Sequence, residues 1–209
     1  MKLVAVEGPI AAGKSTLIKT LPEALNAATG EEWTSILEQC DLDMEFNRLL
    51  KQFLDHPTDA NKRAEFQRYV TRSRFNLLKD LPDGNYVIER SLYSDLVFTQ
   101  CNMMGTEGPT GEYQAAFYDI KEHMADYPPV DLVVYLSRDS EACIASAVER
   151  SRDGEDAYDL DYFEDLHRYH LTVLPQACRM YGADLHVVEL GDSYPVPEAV
   201  AADIAGALQ

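Results

Sequence analysis

Residues Gly8–Ser15 read GPIAAGKS, two glycines, a lysine and a serine at the spacing G-x-x-x-x-G-K-[ST]. Glycines there let backbone N–H groups turn inward around phosphate oxygens, and a helix opening at the lysine points its positive end at the same anion. Lys14 would reach the β- and γ-phosphates of a nucleoside triphosphate, and Ser15 would bind the accompanying Mg²⁺. A second stretch, IERSLYSD (Ile88–Asp95), sets Glu89, Arg90, Ser91 and Asp95 directly behind the apolar run NYVI. Charges at the end of a buried strand are costly unless something uses them. In FQRYVTRSR (Phe66–Arg74), Gln67 and Arg74 stand seven residues apart and so share one helix face across two turns. In VERSRDGED (Val148–Asp156), Arg150 and Arg152 end a predicted helix before a glycine-containing loop, an arrangement suited to a lid over phosphates.

These stretches need strands and helices to bring them together. KLVAVE (Lys2–Glu7), WTSILE (Trp33–Glu38), NYVIE (Asn85–Glu89), DLVVYL (Asp131–Leu136) and LHVVEL (Leu185–Leu190) read as strands, too short and too evenly apolar for surface helices. Helical periodicity lies between them, as in DYFEDLHRYHLTVL, where Tyr162, Phe163, Leu166, Tyr169 and Leu174 recur on one face and Asp159 or Asp161 can cap. Such alternation predicts an α/β fold, a parallel sheet with helices on both faces. GTEGPTGE (Gly105–Glu112) and SRDGEDAYD (Ser151–Asp159) read as loops. Ligands of such sheets bind at the carboxyl ends of the strands, where Glu7, Glu38 and Glu89 fall.

The 209 residues suit a single domain spanning 1–209, with no internal repeat or linker. A net charge of −18 speaks against nucleic acid or an anionic membrane as partner, and obliges any anionic ligand to find a local cluster of cations. Lys14, Arg90, Arg150 and Arg152 could supply it. Cys40, Cys101, Cys143 and Cys178 lie far apart without a CxxC pair, so four reduced thiols are expected. The first residues run straight into a strand and no apolar run reaches membrane-spanning length, which predicts a soluble, cytoplasmic protein.

The four motifs EGPIAAGKST, FQRYVTRSR, IERSLYSD and VERSRDGED occur in the order, and at roughly the distances, of the deoxynucleoside kinases. Between Val4 and about Leu174 the chain resembles their deoxycytidine/deoxyguanosine/deoxyadenosine kinase branch. The resemblance implies a P-loop kinase with a five-stranded parallel sheet and an Arg-containing lid at roughly 150–158. It implies ATP contacts from Gly8, Ala11, Ala12, Gly13, Lys14, Ser15, Thr16, Arg150 and Arg152. Glu38 takes the place of the general base for the 5′-hydroxyl of a 2′-deoxynucleoside, and Arg90 lies between that oxygen and the transferred phosphate. Ser15 and Glu89 would hold Mg²⁺, Glu155 the sugar 3′-hydroxyl, and Phe66, Gln67, Arg74 and Asp95 the nucleoside. Family members pair through helices beside the sheet, so a homodimer is expected. The chain departs from the pattern in three places. LEQCDLD lacks the family's Pro and Trp after Glu38, Ser146 stands where lids often carry a third arginine, and Phe53 or Leu54 replaces a sugar-binding tyrosine.

An Arg–Asp pair beside a Gln amide offers acceptors to an exocyclic amine and donors to a ring nitrogen or carbonyl. Adenine, guanine or cytosine suit that set; the thymine O4 acceptor would meet the negative charge of Asp95. Two other activities compete. A deoxynucleoside monophosphate kinase needs further cations, for which Arg68 and Arg72 are available, and a non-catalytic kinase-like scaffold has no use for Lys14, Glu38 and Arg90 together. His167 and His170 are two ligands without a third and read as packing residues. The Tyr and Phe of YDLDYF read as core, and the loop GDSYP as a contact for adenine of ATP.

Overall fold

The computed structural model describes residues 1–38, 43–104, 111–151 and 158–208. Its elements are β1 (Lys2–Glu7), α1 (Lys14–Thr29), β2 (Trp33–Ile36), α2 (Met44–Asp55), α3 (Ala60–Leu78), β3 (Asn85–Glu89), α4 (Leu92–Met104), α5 (Gly111–Asp126), β4 (Leu132–Arg138), α6 (Ser140–Arg150), α7 (Leu160–Tyr181), β5 (Asp184–Gly191) and α8 (Pro197–Ala207). The five strands form one sheet in the order β2-β3-β1-β4-β5, every pair parallel.

Side chains alternate across the central strands because successive Cβ atoms point to opposite faces. Leu3, Ala5, Ile88, Val133 and Tyr135 pack with Leu92 and Val97 of α4, Ile120 of α5 and Leu174 of α7. Val4, Val6, Val87, Val134 and Leu136 face Leu17, Leu21 and Leu25 of α1 and Val200 and Ile204 of α8. The sheet is thus covered on both sides, the condition under which strands read as unbroken apolar runs.

Several boundaries differ from the sequence reading. β2 ends at Ile36, the last residue paired with β3, so Glu38 lies beyond the strand on a segment free to bend inward. β4 continues to Arg138, across a bulge at Ser137/Arg138, and β5 begins at Asp184 and ends at Gly191. Gly111 and Glu112, read as loop, open α5. Asp159 is the cap of α7, its carboxylate accepting from the Tyr162 N–H at 2.9 Å. Among the described cysteines, Cys101, Cys143 and Cys178 are buried free thiols; Cys40 lies outside the described residues. Among the described residues no helix is long and apolar enough to cross a membrane.

Candidate active site

The turn between β1 and α1 is held in a shape that few side chains tolerate. Gly8, Ala11 and Gly13 have φ of 154°, 58° and 89°. A Cβ on Gly8 would stand 3.0 Å from the Leu136 carbonyl oxygen. One on Gly13 would stand 3.1 Å from both Tyr194 and Pro195, so the second glycine lets the β5–α8 loop close against the turn. The Lys14 amine curls back onto this loop and donates to the Gly8 and Pro9 carbonyls at 3.1 and 2.5 Å. Burial, and next the Arg90 guanidinium, lowers its pKa to about 7. Ser15 donates to Glu89 Oε1 at 2.5 Å, joining the start of α1 to the end of β3.

Beyond β3 the chain takes a strained step. Arg90 has a φ of 62°, unusual for a residue with a long side chain, while its N–H donates to the Val6 carbonyl at 3.1 Å. The step aims the guanidinium over the Phe98 ring, 4.7 Å from its centre, with one N–H given to Ser94 Oγ at 3.3 Å. Ser91 and Ser94 in turn donate to Glu7, a carboxylate with no solvent exposure. Burial raises the Glu7 pKa against the lowering effect of those hydroxyls and of Arg90.

α3 carries the acceptor side. Arg63, Gln67, Thr71 and Arg74 lie along one stripe of it and all four are buried. A polar stripe turned inward cannot be explained by packing, since each group needs a partner. Arg74 binds Asp95 of α4 through Nη1 and Glu38 through Nη2 and Nε, the latter at 3.1 Å. Arg90 Nε stands 3.7 Å from the other Glu38 oxygen. Asp95 has no exposure; burial raises its pKa to about 6 against the pull of Arg74, with Thr71 and Gln67 also lowering it.

Lys14, Ser15, Glu38, Arg74, Glu89 and Arg90 border one cavity of about 500 Å³, within the range of small-molecule sites. At one end lie the P-loop residues Ala11–Thr16 with Ser146 and Arg150; at the other lie Phe46, Phe53, Phe66, Gln67 and Arg74. Phe66 stacks on Phe53 at 5.6 Å and meets the edge of Phe46 at 5.2 Å. Glu38, Glu89 and Arg90 line the middle. Gly8 and Asp95 adjoin the cavity through Lys14 and Arg74. Arg152, Glu155 and the rest of the lid at 152–157 lie outside the described residues. Among the described residues no group of three or more His, Cys, Asp or Glu could hold a metal by itself.

Sequence reasoning misassigned or missed several residues. Tyr158 and Tyr162, read as core, do pack against it, but they also stack on one another at 4.8 Å and border the cavity, and Tyr162 donates to the Asn102 amide oxygen at 3.2 Å. Phe163 is core as expected. Arg138 reads only as the first charged residue after an apolar strand, yet it is 4% exposed. His167 bonds the Tyr135 hydroxyl at 3.0 Å and His170 stacks on the same ring, the packing roles expected of them.

A family model described as Deoxynucleoside kinase matches residues 4–198. Similar proteins include deoxycytidine kinase 1 of Xenopus laevis, 27% identical over 203 residues that cover 83% of this chain and 74% of that protein. Deoxyguanosine kinase of Lactobacillus johnsonii is 30% identical over 184 residues, covering 81% of this chain and 75% of its own length. In fold, the chain is similar to deoxyadenosine kinase from M. mycoides with bound dCTP, with a TM-score of 0.70 and 19% identity over 97% of this chain and 95% of that one.

Proposed function

The chain belongs to the deoxynucleoside kinase family, whose members are ATP-dependent phosphotransferases, and we propose that it transfers the γ-phosphate of ATP to the 5′-hydroxyl of a 2′-deoxynucleoside. The observation that carries this reading is the double pairing of Glu38, to Arg74 on the aromatic side and to Arg90 on the P-loop side. A carboxylate so held stands between the place for a base and the place for a phosphate.

Glu38 then accepts the proton of the sugar hydroxyl as that oxygen bonds to the γ-phosphorus and the bond to the bridging oxygen of ADP breaks. Arg90, fixed by Ser94 and Phe98, stabilises charge on the phosphoryl group in flight. Lys14 gives up its two carbonyl partners for phosphate oxygens, which favour its charged form where burial disfavours it. Ser15 and Glu89 would hold a divalent cation such as Mg²⁺: a hydroxyl and a carboxylate beside the P-loop are hard oxygen donors, and the ion would replace the hydrogen bond that now joins them at 2.5 Å. Bound there, the ion would neutralise and orient the triphosphate. Arg150 at the cavity rim, with Arg152, serves the same phosphates.

On the acceptor side, Phe66 and its neighbours give an apolar slot for a ring, with Gln67 and the Arg74–Asp95 pair at its edge. This favours adenine, guanine or cytosine over thymine. Glu155 is assigned to the 3′-hydroxyl. A monophosphate acceptor finds less support, because Arg68 pairs with Glu112 at 3.8 Å and Arg72 is exposed, and neither borders the cavity. A scaffold role leaves the strained Arg90 unexplained. The reading includes one catalytic domain over 1–209, a cytoplasmic homodimer, and neither nucleic acid nor membrane as partner.

Glu38→Gln tests it. The loss of a general base should lower kcat for a deoxynucleoside by about 100-fold or more while ATP still binds. Wild-type turnover in the variant, or a monophosphate preferred over its nucleoside, would overturn the assignment.

A further inference from the structure

Arg138 closes β4 just past a register shift, opposite Gly191 of β5, and its side chain reaches the P-loop. One Nη donates to the Ala11 carbonyl at 2.9 Å and to Ser146 Oγ at 3.0 Å; the other donates to the Asp192 carbonyl at 3.2 Å. The guanidinium lies over the Tyr194 ring, 4.0 Å from its centre, and the Tyr194 hydroxyl meets Ser146 Oγ at 2.8 Å. One side chain therefore ties together the P-loop, α6 and the β5–α8 loop.

Two features exceed what a structural clamp needs. The group is 4% exposed, and no carboxylate lies within 4.0 Å of it among the described residues, so its charge faces only neutral oxygens and a ring. Its Nε has no partner at all. A cation buried in this way is expensive until an anion arrives nearby. In addition, what it touches faces the cavity. Ala11, Ser146 and Tyr194 all border the P-loop end, Ala11 in a left-handed conformation that the bond to its carbonyl helps to hold.

We infer that Arg138 is a positioning residue for the phosphate donor, a nucleoside triphosphate: it fixes Ala11, Ser146 and Tyr194 into the donor wall and supplies from β4 a positive charge that α6, with serine at 146, does not. The inference rests on the kinase reading above. Acting from behind the wall, Arg138 governs donor affinity and leaves acceptor affinity alone.

The test compares wild type, Arg138→Ala, Arg138→Lys and the double variant Arg138→Ala/Ser146→Arg. MgATP binding is followed calorimetrically without nucleoside, KM for ATP and for nucleoside by kinetics, and ligand-free Tm by heating. Arg138→Ala should weaken ATP binding and raise its KM about tenfold or more, with nucleoside KM within about twofold. Arg138→Lys keeps the charge but cannot span three acceptors, so it should fall between. The double variant should recover most of the loss, since a guanidinium from residue 146 enters the same space. Equal ATP affinity in wild type and Arg138→Ala would overturn the inference. So would joint weakening of both substrates with a fallen Tm that Ser146→Arg fails to restore. Should Arg138→Ala not fold, wild-type ATP affinity in Arg138→Lys overturns it and a selective loss supports it. If wild type itself binds no MgATP, the kinase reading is what fails.

Discussion

Replacing Arg74 by leucine should destabilise the protein in a way that depends on pH, and the structure fixes the sign. Asp95 is fully buried, and Arg74 is its one cationic partner among the described contacts. Folded, its carboxyl keeps its proton up to about pH 6, against 3.8 when unfolded. The native chain thus holds the extra proton between those values, and its stability falls as pH rises through that window and then levels. Removing Arg74 deletes the chief influence that holds the pKa down, while burial and the Glu38 charge remain to raise it. The folded carboxyl then stays protonated above pH 6, so the decline continues at about 1.4 kcal/mol per pH unit. Between pH 6 and 8 the gap from wild type should widen by about 3 kcal/mol, in line with the cost of breaking a buried ion pair. Urea unfolding of wild type and Arg74→Leu at half-unit steps from pH 5 to 8 measures the gap directly. Adding Asp95→Asn to the variant should cancel its pH dependence. A gap that stays constant from pH 5.5 to 8 would refute the reasoning.

Gly13→Ala places a methyl 3.1 Å from Tyr194 and Pro195 at a φ of 89°, so it should cost about 1–3 kcal/mol and raise KM for ATP but not for nucleoside. Thermal melts and the two KM values check it; unchanged donor KM would count against the close approach of the β5–α8 loop. Ser15→Ala should shift the Mg²⁺ titration of activity upward by about tenfold with little change in Tm, because Ser15 is exposed and its side chain bonds Glu89. Coincident titrations would remove Ser15 from the metal site.

How much of this was legible in the sequence depended on whether the determinant was local. The P-loop was, because glycine, lysine and serine must occur at fixed spacing for the turn to exist, and the structure folds Gly8–Ser15 as that spacing requires. The core faces of β1 and β3 were, because alternate residues of a strand cannot exchange sides. The bend that carries Glu38 from β2 to Arg74 was not. WTSILE reads as one apolar run, and only the edge position of β2, with pairing that stops at Ile36, shows where the strand ends. Arg138 was hidden for the same reason. Its strand runs past the apolar stretch, and its acceptors, Ala11, Ser146 and the Asp192 carbonyl, come from segments far apart in the chain. Tyr162 was half legible, because an aromatic at helical spacing looks alike whether it meets core alone or core and cavity together.

The charge distribution gives these observations a common cause. The chain has a net charge of −18, yet among the described residues the buried charged groups are five cations, Lys14, Arg63, Arg74, Arg90 and Arg138, against three carboxylates, Glu7, Glu89 and Asp95. Surface charge of either sign is screened within about 8 Å in physiological salt, so the acidic exterior acts weakly on a ligand already in the cavity. The interior cations act at short range and low dielectric, where each is worth far more. Their carboxylates hold them in place without cancelling them: Glu7 fixes Arg90 through Ser94, and Asp95 and Glu38 share Arg74. The surplus is positive, and two of its members, Lys14 and Arg138, donate to backbone carbonyls of the same P-loop. Such an interior is incomplete until an anion with several oxygens enters, and only a ligand reaching from the P-loop to Glu38 would meet both halves of it.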